Sequence, residues 1–258
     1  MSDNILQAPE YLSPSSIGTF RQCPLQFKLS RIDKIEQLPT EETLLGNFVH
    51  DVLEVFYSVS PEDRTIGTVK ALSATIWNEY GWQEKVEPYL KKMSLNSFRW
   101  NAWWCIENLF RIEDPLQTFP SGIEDEVIGE ISGVKMRGFI DRWADNGEEI
   151  SISDYKTGKT PQAKYSKPKF FQLVVYAHLL GAMKNKPVTN LNLLYLKDGT
   201  HLQMSPTQEE MEEVAVTVRS VKDDIDARCI SGQWEAVPSI LCDWCSYKKT
   251  ICTYWNKK

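Results

Sequence analysis

The 258-residue chain predicts a mixed α/β fold, a sheet-bearing core with a helical region set into it. Three stretches carry this expectation. Residues 41–57 repeat apolar side chains at helical spacing, residues 123–156 switch to alternation broken by turn signals, and from 167 onward helix, strand and helix patterns return. Helix faces recur every three or four residues and strand faces every second one, so a change of period is a change of element. An apolar content of 42%, with 11% aromatic residues, is enough for a packed core and argues against disorder.

Taken in order, LSPSSIGTFRQCPLQFKL (12–29) predicts two short helices, with Ser13 as N-cap, Pro14 in the first turn and Pro24 restarting the chain after Cys23. A helix from Glu41 to Tyr57 follows, with Leu44, Leu45, Phe48, Val52, Leu53 and Phe56 on a wide apolar face. Two or three further helices reach Arg111 and hold Trp77, Trp82, Trp100, Trp103 and Trp104. Residues 61–111 are read as a helical insertion, or lid, within a single domain spanning 1–258. Strands at 123–131 and 134–143 meet at Ser132-Gly133. A third strand, 149–156, follows Asp145-Asn146-Gly147-Glu148, and Asn-Gly between alternating runs is a strong hairpin signal. A helix at 167–183, strands at 189–197 and 201–204 and a long helix at 206–230 complete the α/β pattern.

No apolar run reaches the ~18 residues of a membrane span, since Gln172 and His178 interrupt the longest candidate, Phe170 to Met183. The first residues lack a basic start and an apolar stretch, so the expected location is the cytosol. Net charge is −6, from 29 basic and 35 acidic residues, yet the charge is uneven. Lys156, Lys159, Lys164, Lys167, Lys169, Lys184, Lys186 and Lys197 occur between residues 155 and 197 with no Asp or Glu among them. Such a stretch is either a solvated face or a phosphate-facing patch inside an acidic chain.

The third strand makes a geometric statement. With Asn146-Gly147 as a two-residue turn, Asp145 pairs with Glu148, Asp141 lies opposite Ile152 and Phe139 opposite Asp154. Asp141, Asp154 and Lys156 then project from one face, beside Phe139, Trp143, Ile150 and Ile152. Diagonal neighbours on such a face are ~7–8 Å apart, close enough for two carboxylates to share an ion. Magnesium and manganese prefer hard oxygen ligands, and a lysine beside them can orient a water or offset charge on a phosphate. A surface hairpin with a diagonal Asp–Lys pair has the same spacing. Gly158-Lys159-Thr160 is not the end of a phosphate-binding P-loop, because Ser153 stands where that loop needs its first glycine.

GFIDRWAD (138–145), SISDYKTGK (151–159) and QLVVYAHLL (172–180), with GNFVH (46–50) upstream, resemble in their order the motifs of the RecB-type branch of the PD-(D/E)XK nuclease superfamily. The resemblance implies a restriction-endonuclease-like core, a mixed sheet flanked by helices. It implies His50, Asp141, Asp154 and the Tyr155 carbonyl as ligands of Mg²⁺ or Mn²⁺, and Lys156 as the catalytic lysine beside Asp141 and Asp154. It also implies that Gln172 and Tyr176 hold the substrate strand or the active-site water, with Lys159 assigned to substrate binding. Gln172 and Tyr176 are four apart on one helix and share a face. His50, taken alone, would be a satisfied core histidine. His178 and His201 match no motif and are assigned structural roles, and Glu126 is read as solvent-facing.

Six cysteines in a cytosolic chain suggest ligands or core thiols. Cys242-x2-Cys245-x6-Cys252 has metal-ligand spacing but is one thiolate short of a tetrahedral site, and Cys23 is the natural fourth. Spacing alone leaves zinc and iron–sulfur open. Resemblance to helicase–nuclease subunits and CRISPR-adaptation nucleases implies a [4Fe–4S] cluster that clamps residue 23 to residues 240–255. Cys105 and Cys229 are assigned to the core. The leading expectation is an exonuclease acting on single-stranded or end-bearing DNA in repair, recombination or CRISPR adaptation, fed by a helicase or integrase partner. The alternative is an inactive DNA- or helicase-binding module stabilised by a metal site of four cysteines.

Overall fold

Local signals in the sequence begin most of the elements. In the computed structural model, which describes residues 6–256, Ser13 caps α1 (Pro14–Gln22) in a capping box with Ser16, and Pro24 opens α2 (Pro24–Phe27). Thr40 accepts the Thr43 N–H to start α3 (Glu41–Ser58), and Thr65 and Ser94 do the same for α4 (Ile66–Glu79) and α6 (Leu95–Ile112). A short α5 (Trp82–Val86) lies between these two. Each hydroxyl satisfies one of the N–H groups that a helix start leaves unpaired.

Strands β1 (Gly122–Ile131), β2 (Val134–Asp145) and β3 (Ile150–Lys156) come next. Then follow α7 (Phe171–Lys184), β4 (Val188–Tyr195), β5 (Thr200–Met204) and α8 (Gln208–Ser231). The five strands form one sheet in the order β1-β2-β3-β4-β5, with β3 and β4 parallel and the β2-β3 and β4-β5 pairs antiparallel. This is the mixed α/β core that the periodicities predicted. Ser132 and Gly133 both take positive φ, as a type I′ hairpin requires.

The chain divides into two compact units. One holds the described residues up to Leu38, Ile128–Gly138 and those from Gln208 onward; the other holds Pro39–Val127 and Phe139–Thr207. In the second unit α3 packs against α4 and α6, while α7 packs against β3 and β4. All six apolar residues expected on the inner face of α3 are buried, with Val49 and Tyr57 beside them.

The turn after β2 differs from the expected two-residue hairpin. Asp145 pairs with Ile150, not Glu148, and the loop is the four residues Asn146–Glu149. Its cause is side-chain capping. Asn146 Oδ1 accepts the N–H groups of Glu148 and Glu149, and Asp145 Oδ1 accepts that of Gly147, so an Asx turn outcompetes the tighter hairpin. The register therefore moves by two residues, and a shift of two keeps every side chain on its expected face.

Behind β2 and β3 a buried ion pair ties β2 to the end of α6. Arg142 donates two hydrogen bonds of 2.6 Å to the Glu113 carboxylate, which also accepts from the Tyr57 hydroxyl. The guanidinium lies 4.4 Å from the Tyr57 ring and 5.6 Å from that of Tyr155. Removing one partner of such a pair leaves an uncompensated charge. Glu113→Ala is therefore expected to lower stability by about 3–5 kcal/mol in urea unfolding, with Glu113→Gln less damaging. A loss near zero for the alanine variant would mean that Arg142 is not held by this carboxylate.

Candidate active site

Asp141 and Asp154 reach one another from neighbouring strands. The β2-β3 ladder pairs Arg142 with Ser153 and Trp143 with Ile152. Carried one step further, that register sets Asp141 opposite Asp154, so the carboxylates face each other directly and not on a diagonal. Both are buried, at 8% and 2% exposure. Phe139, expected on the same apolar surface, is exposed, whereas Trp143, Ile150 and Ile152 are buried.

Two chains of contacts radiate from the pair. Asp141 Oδ2 accepts the Tyr155 N–H at 2.7 Å and lies 3.5 Å from His50 Nδ1. The other ring nitrogen of His50 is 3.1 Å from the Tyr155 carbonyl, so α3 brings its histidine onto the backbone of β3. In the second chain, Lys156 Nζ sits 2.6 Å from Asp154 Oδ2 and donates to Gln172 Oε1 at 3.3 Å. Gln172 Nε2 in turn donates to the Tyr176 hydroxyl at 3.1 Å. Gln172 and Tyr176 thus do share a face of α7, and the lysine links that face to the acids.

One member of the site was missed. Glu124 Oε1 lies 3.8 Å from His50 Nδ1, and ligand atoms of His50, Glu124 and Asp141 fall within 4.8 Å of one another, a grouping able to hold a metal ion. The sequence Glu124-Asp125-Glu126 offers three acids without a local sign of which matters. Glu124 is distinguished by its backbone, which has φ of 49°, a left-handed conformation uncommon outside glycine and often found where function needs it. Next to it, Asp125 accepts the Trp143 indole N–H at 2.7 Å, and Glu126 is exposed, as expected.

The lysine-rich stretch is not a uniform patch. Lys186 pairs with Asp145 at 2.6 Å and Lys184 lies 4.7 Å from the Trp143 ring. Lys159, Lys164, Lys167 and Lys169 are exposed between β3 and α7, and the charge of Lys159 acts on Asp198. His201 bonds Asn192 at 2.8 Å.

In the first unit, Cys23, Cys242, Cys245 and Cys252 are half-buried and line one cavity with Leu25, Leu29 and Tyr247. Two of the sulfurs accept backbone N–H groups, Cys23 from Val237 at 3.5 Å and Cys242 from Ser239 at 3.4 Å. Burial pushes the Cys245 thiol up, and the neighbouring Cys23 and Cys252 add to the shift. Cys105 and Cys229 are buried.

The electrostatics of the acid pair are unusual. Burial, then the charge of Asp154, pushes Asp141 up to about 7 against the pull of His50 and the Tyr155 N–H. Burial opposes protonation of His50, but Glu124, Asp141 and Asp154 outweigh it and lift the imidazole to about 9. Burial likewise opposes the charge on Lys156, and Asp154 more than restores it, so the amine is raised and stays protonated.

Residues 11–253 match the family model of the PD-(D/E)XK nuclease superfamily. The chain is 24% identical to the Gene 69 protein of Mycobacterium phage L5 over 88% of its length and 90% of that protein's. It is 25% identical to the Gene 69 protein of Mycobacterium phage D29, over 64% and 66% of the two chains. Among solved structures it resembles a “Putative exonuclease” from Eubacterium rectale with a TM-score of 0.59 and 15% identity, covering 94% of this chain and 89% of that one. The last of these is a likeness of fold. Among the described residues no helix is long and apolar enough to cross a membrane.

The acid cluster has a consequence for stability in chelator. The His50 contribution is fully present below its ordinary value of 6.5 and is lost as pH rises through about 9. Asp141 acts in the same sense, because the folded state holds its proton from the ordinary 3.8 up to about 7. The folded protein thus binds more protons than the unfolded chain across this range, and its stability falls as pH rises. Urea midpoints measured at about pH 6 and about pH 8.5 should fall for the wild type and change less for Asp141→Asn. Equal slopes for the two proteins would remove Asp141 from this account.

Proposed function

The chain belongs to the PD-(D/E)XK nuclease superfamily, and we propose that it is a divalent-cation-dependent deoxyribonuclease of the RecB-type branch, an exonuclease on single-stranded or end-bearing DNA. The observation that carries this reading is the convergence of Asp141, Asp154 and Lys156 on one face, joined there by His50 and Glu124. Superfamily membership implies a divalent metal, and the residues fit one. His50, Glu124 and Asp141 offer ligand atoms within 4.8 Å of one another. Asp154 Oδ2 is buried and, although 2.6 Å from Lys156 Nζ, makes no well-directed hydrogen bond. A buried carboxylate oxygen left in that state is costly unless a cation meets it.

His50, Glu124, Asp141 and Asp154 would hold Mg²⁺ or Mn²⁺, with the Tyr155 carbonyl as a further oxygen ligand. The bound ion would supply Lewis acidity toward the scissile phosphate and the attacking water. The other roles fall to the chain's own groups. Lys156 keeps its proton at Nζ and sits where negative charge on the phosphate can be offset. Gln172 fixes that amine through Oε1 and, through Nε2, the Tyr176 hydroxyl, so α7 orients the lysine and the strand of substrate together. Lys159 and the exposed lysines after it give the phosphate backbone an electrostatic approach. A helicase or integrase that delivers DNA ends is consistent with this role.

The four cysteines are proposed to bind a [4Fe–4S] cluster. Around one zinc ion, four thiolates at ~2.3 Å would lie only about 3.8 Å apart. The N–H donors on two sulfurs and the apolar lining suit the larger group.

Cleavage of linear DNA in Mg²⁺ or Mn²⁺ should be abolished by EDTA and by Asp154→Ala, and reduced about 10²–10³-fold by Lys156→Ala. Equal cleavage by wild type and Asp154→Ala would mean that the cutting does not arise at this site, and would leave the binding-module alternative. Closed circular DNA cut as fast as linear DNA would remove the requirement for ends. Purified without oxygen, the protein should be brown with a broad band near ~400 nm that Cys245→Ser removes; a colourless protein carrying one zinc would overturn the cluster assignment.

A further inference from the structure

We propose that the exposed face of α6 is a track for single-stranded DNA, with bases stacking on Trp100 and Trp104 and phosphates lying against Lys70, Arg99 and Lys197. The inference rests on the nuclease reading and gives its substrate a strandedness. Trp100 is 71% exposed and Trp104 45%, whereas tryptophan is highly buried on average. Four residues apart, they share a face of α6, about 6 Å apart along its axis, with the Arg111 guanidinium 5.1 Å from the Trp104 ring and covering one side of it.

Trp100 borders a groove of about 460 Å³ between α4 and α6. Lys70 and Arg99 supply its charge, and no acidic side chain lines it. In a chain of net charge −6, a groove that combines cations, aromatic rings and no acids is complementary to an unpaired strand. Every base has a face to stack and every linkage a charge to neutralise. Arg99 itself lies 5.3 Å from the Trp77 ring, so its guanidinium is held at the groove and not free to swing away.

The same helix is fastened to the turn that follows β4. The Trp104 indole N–H donates to the Lys197 carbonyl at 3.1 Å, and Asn108 donates to the carbonyls of Leu196 at 2.8 Å and Lys197 at 3.2 Å. These bonds fasten α6 to the turn between β4 and β5. On that turn Asp198 accepts the Thr160 N–H at 2.5 Å, which joins it to the loop leaving Lys156. Asp198 keeps its negative charge there, and the charges of Lys159 and Lys197 beside it offset that charge. A duplex cannot use the track in this way, since its bases are already stacked on each other.

The test is binding of a fluorescent oligothymidylate of about 20 nucleotides, followed by anisotropy in EDTA so that no cleavage intervenes. The full-length Trp100→Ala/Trp104→Ala variant should bind it at least about tenfold more weakly than the wild type, with duplex binding unchanged. Its hydrolysis of bis(p-nitrophenyl) phosphate, too small to reach the track, should be retained. Lys70→Gln/Arg99→Gln, two exposed substitutions, should lower the slope of log affinity against log salt by about 1.4, at ~0.7 per lost phosphate contact. Oligothymidylate binding within twofold of wild type in both variants overturns the track and would suit a protein partner for this face. Equal losses for duplex, single strand and the small ester would overturn it too, as general damage. If track variants lose binding while the wild type cleaves no DNA, the track stands and the nuclease reading falls.

Discussion

Asp141 and Asp154 are buried side by side on neighbouring strands, and much of the second unit serves to hold them there. Two carboxylates brought together out of water repel one another and lose hydration, a cost of several kcal/mol per ion in a protein interior. The fold offsets this with a few well-placed partners. The Tyr155 N–H and His50 meet Asp141, and Lys156 meets Asp154. Each partner comes from β3 or α3, so the site depends on how that strand and that helix are held.

Tyr155 connects the two sides of this arrangement. Its backbone lies between Asp154 and Lys156, with the N–H on Asp141 and the carbonyl on His50. Its ring, on the opposite face of the strand, stacks with Tyr57 at 6.4 Å and lies against Arg142. Arg142 is the neighbour of Asp141, and alternation sends its side chain to the far face as well. The ion pair of Arg142 with Glu113 therefore fixes β2 from behind, without approaching the carboxylates. Substitutions in that pair should be felt at the site as misplacement and not as lost ligands.

Much of this was legible in the residues. The apolar period of α3, the hydroxyl caps and the Ser132-Gly133 turn gave element limits to within a few residues, because each is a local physical preference. The face shared by Asp141, Asp154 and Lys156 was legible although the loop length was not, since the capping of Asn146 and Asp145 moved the register by two and left parity intact. Glu124 was illegible for a different reason. Its side chain is aimed by one residue of left-handed backbone, and strict alternation would have given Glu124 and Glu126 the same face. Likewise the eight-lysine stretch concealed its own neutralisation, because Asp145 and Trp143, which engage Lys186 and Lys184, lie far away in sequence.

Charge in the second unit is segregated around the acid pair. The cavity on the α3 side of His50 is bordered by Glu42, Asp51, Glu54 and Glu124, against one lysine, Lys85. Burial raises the carboxyls of Asp51 and Glu54; the nearby Glu124 and Asp51 charges add to the rise of Glu54, while the Trp82 N–H, Lys85 and His50 oppose that of Asp51. On the other side stand Lys156 and the exposed lysines that follow β3. A field of this shape draws cations to one wall and phosphates to the other. For the proposed hydrolysis that division has a direct consequence. A polyanion entering from the α3 side would meet more carboxylates than cations, whereas one arriving over the β3–α7 loop meets lysines until the acids themselves. An acidic chain can thus take up an acidic substrate, because the sign of its net charge matters less than which wall each charge lines.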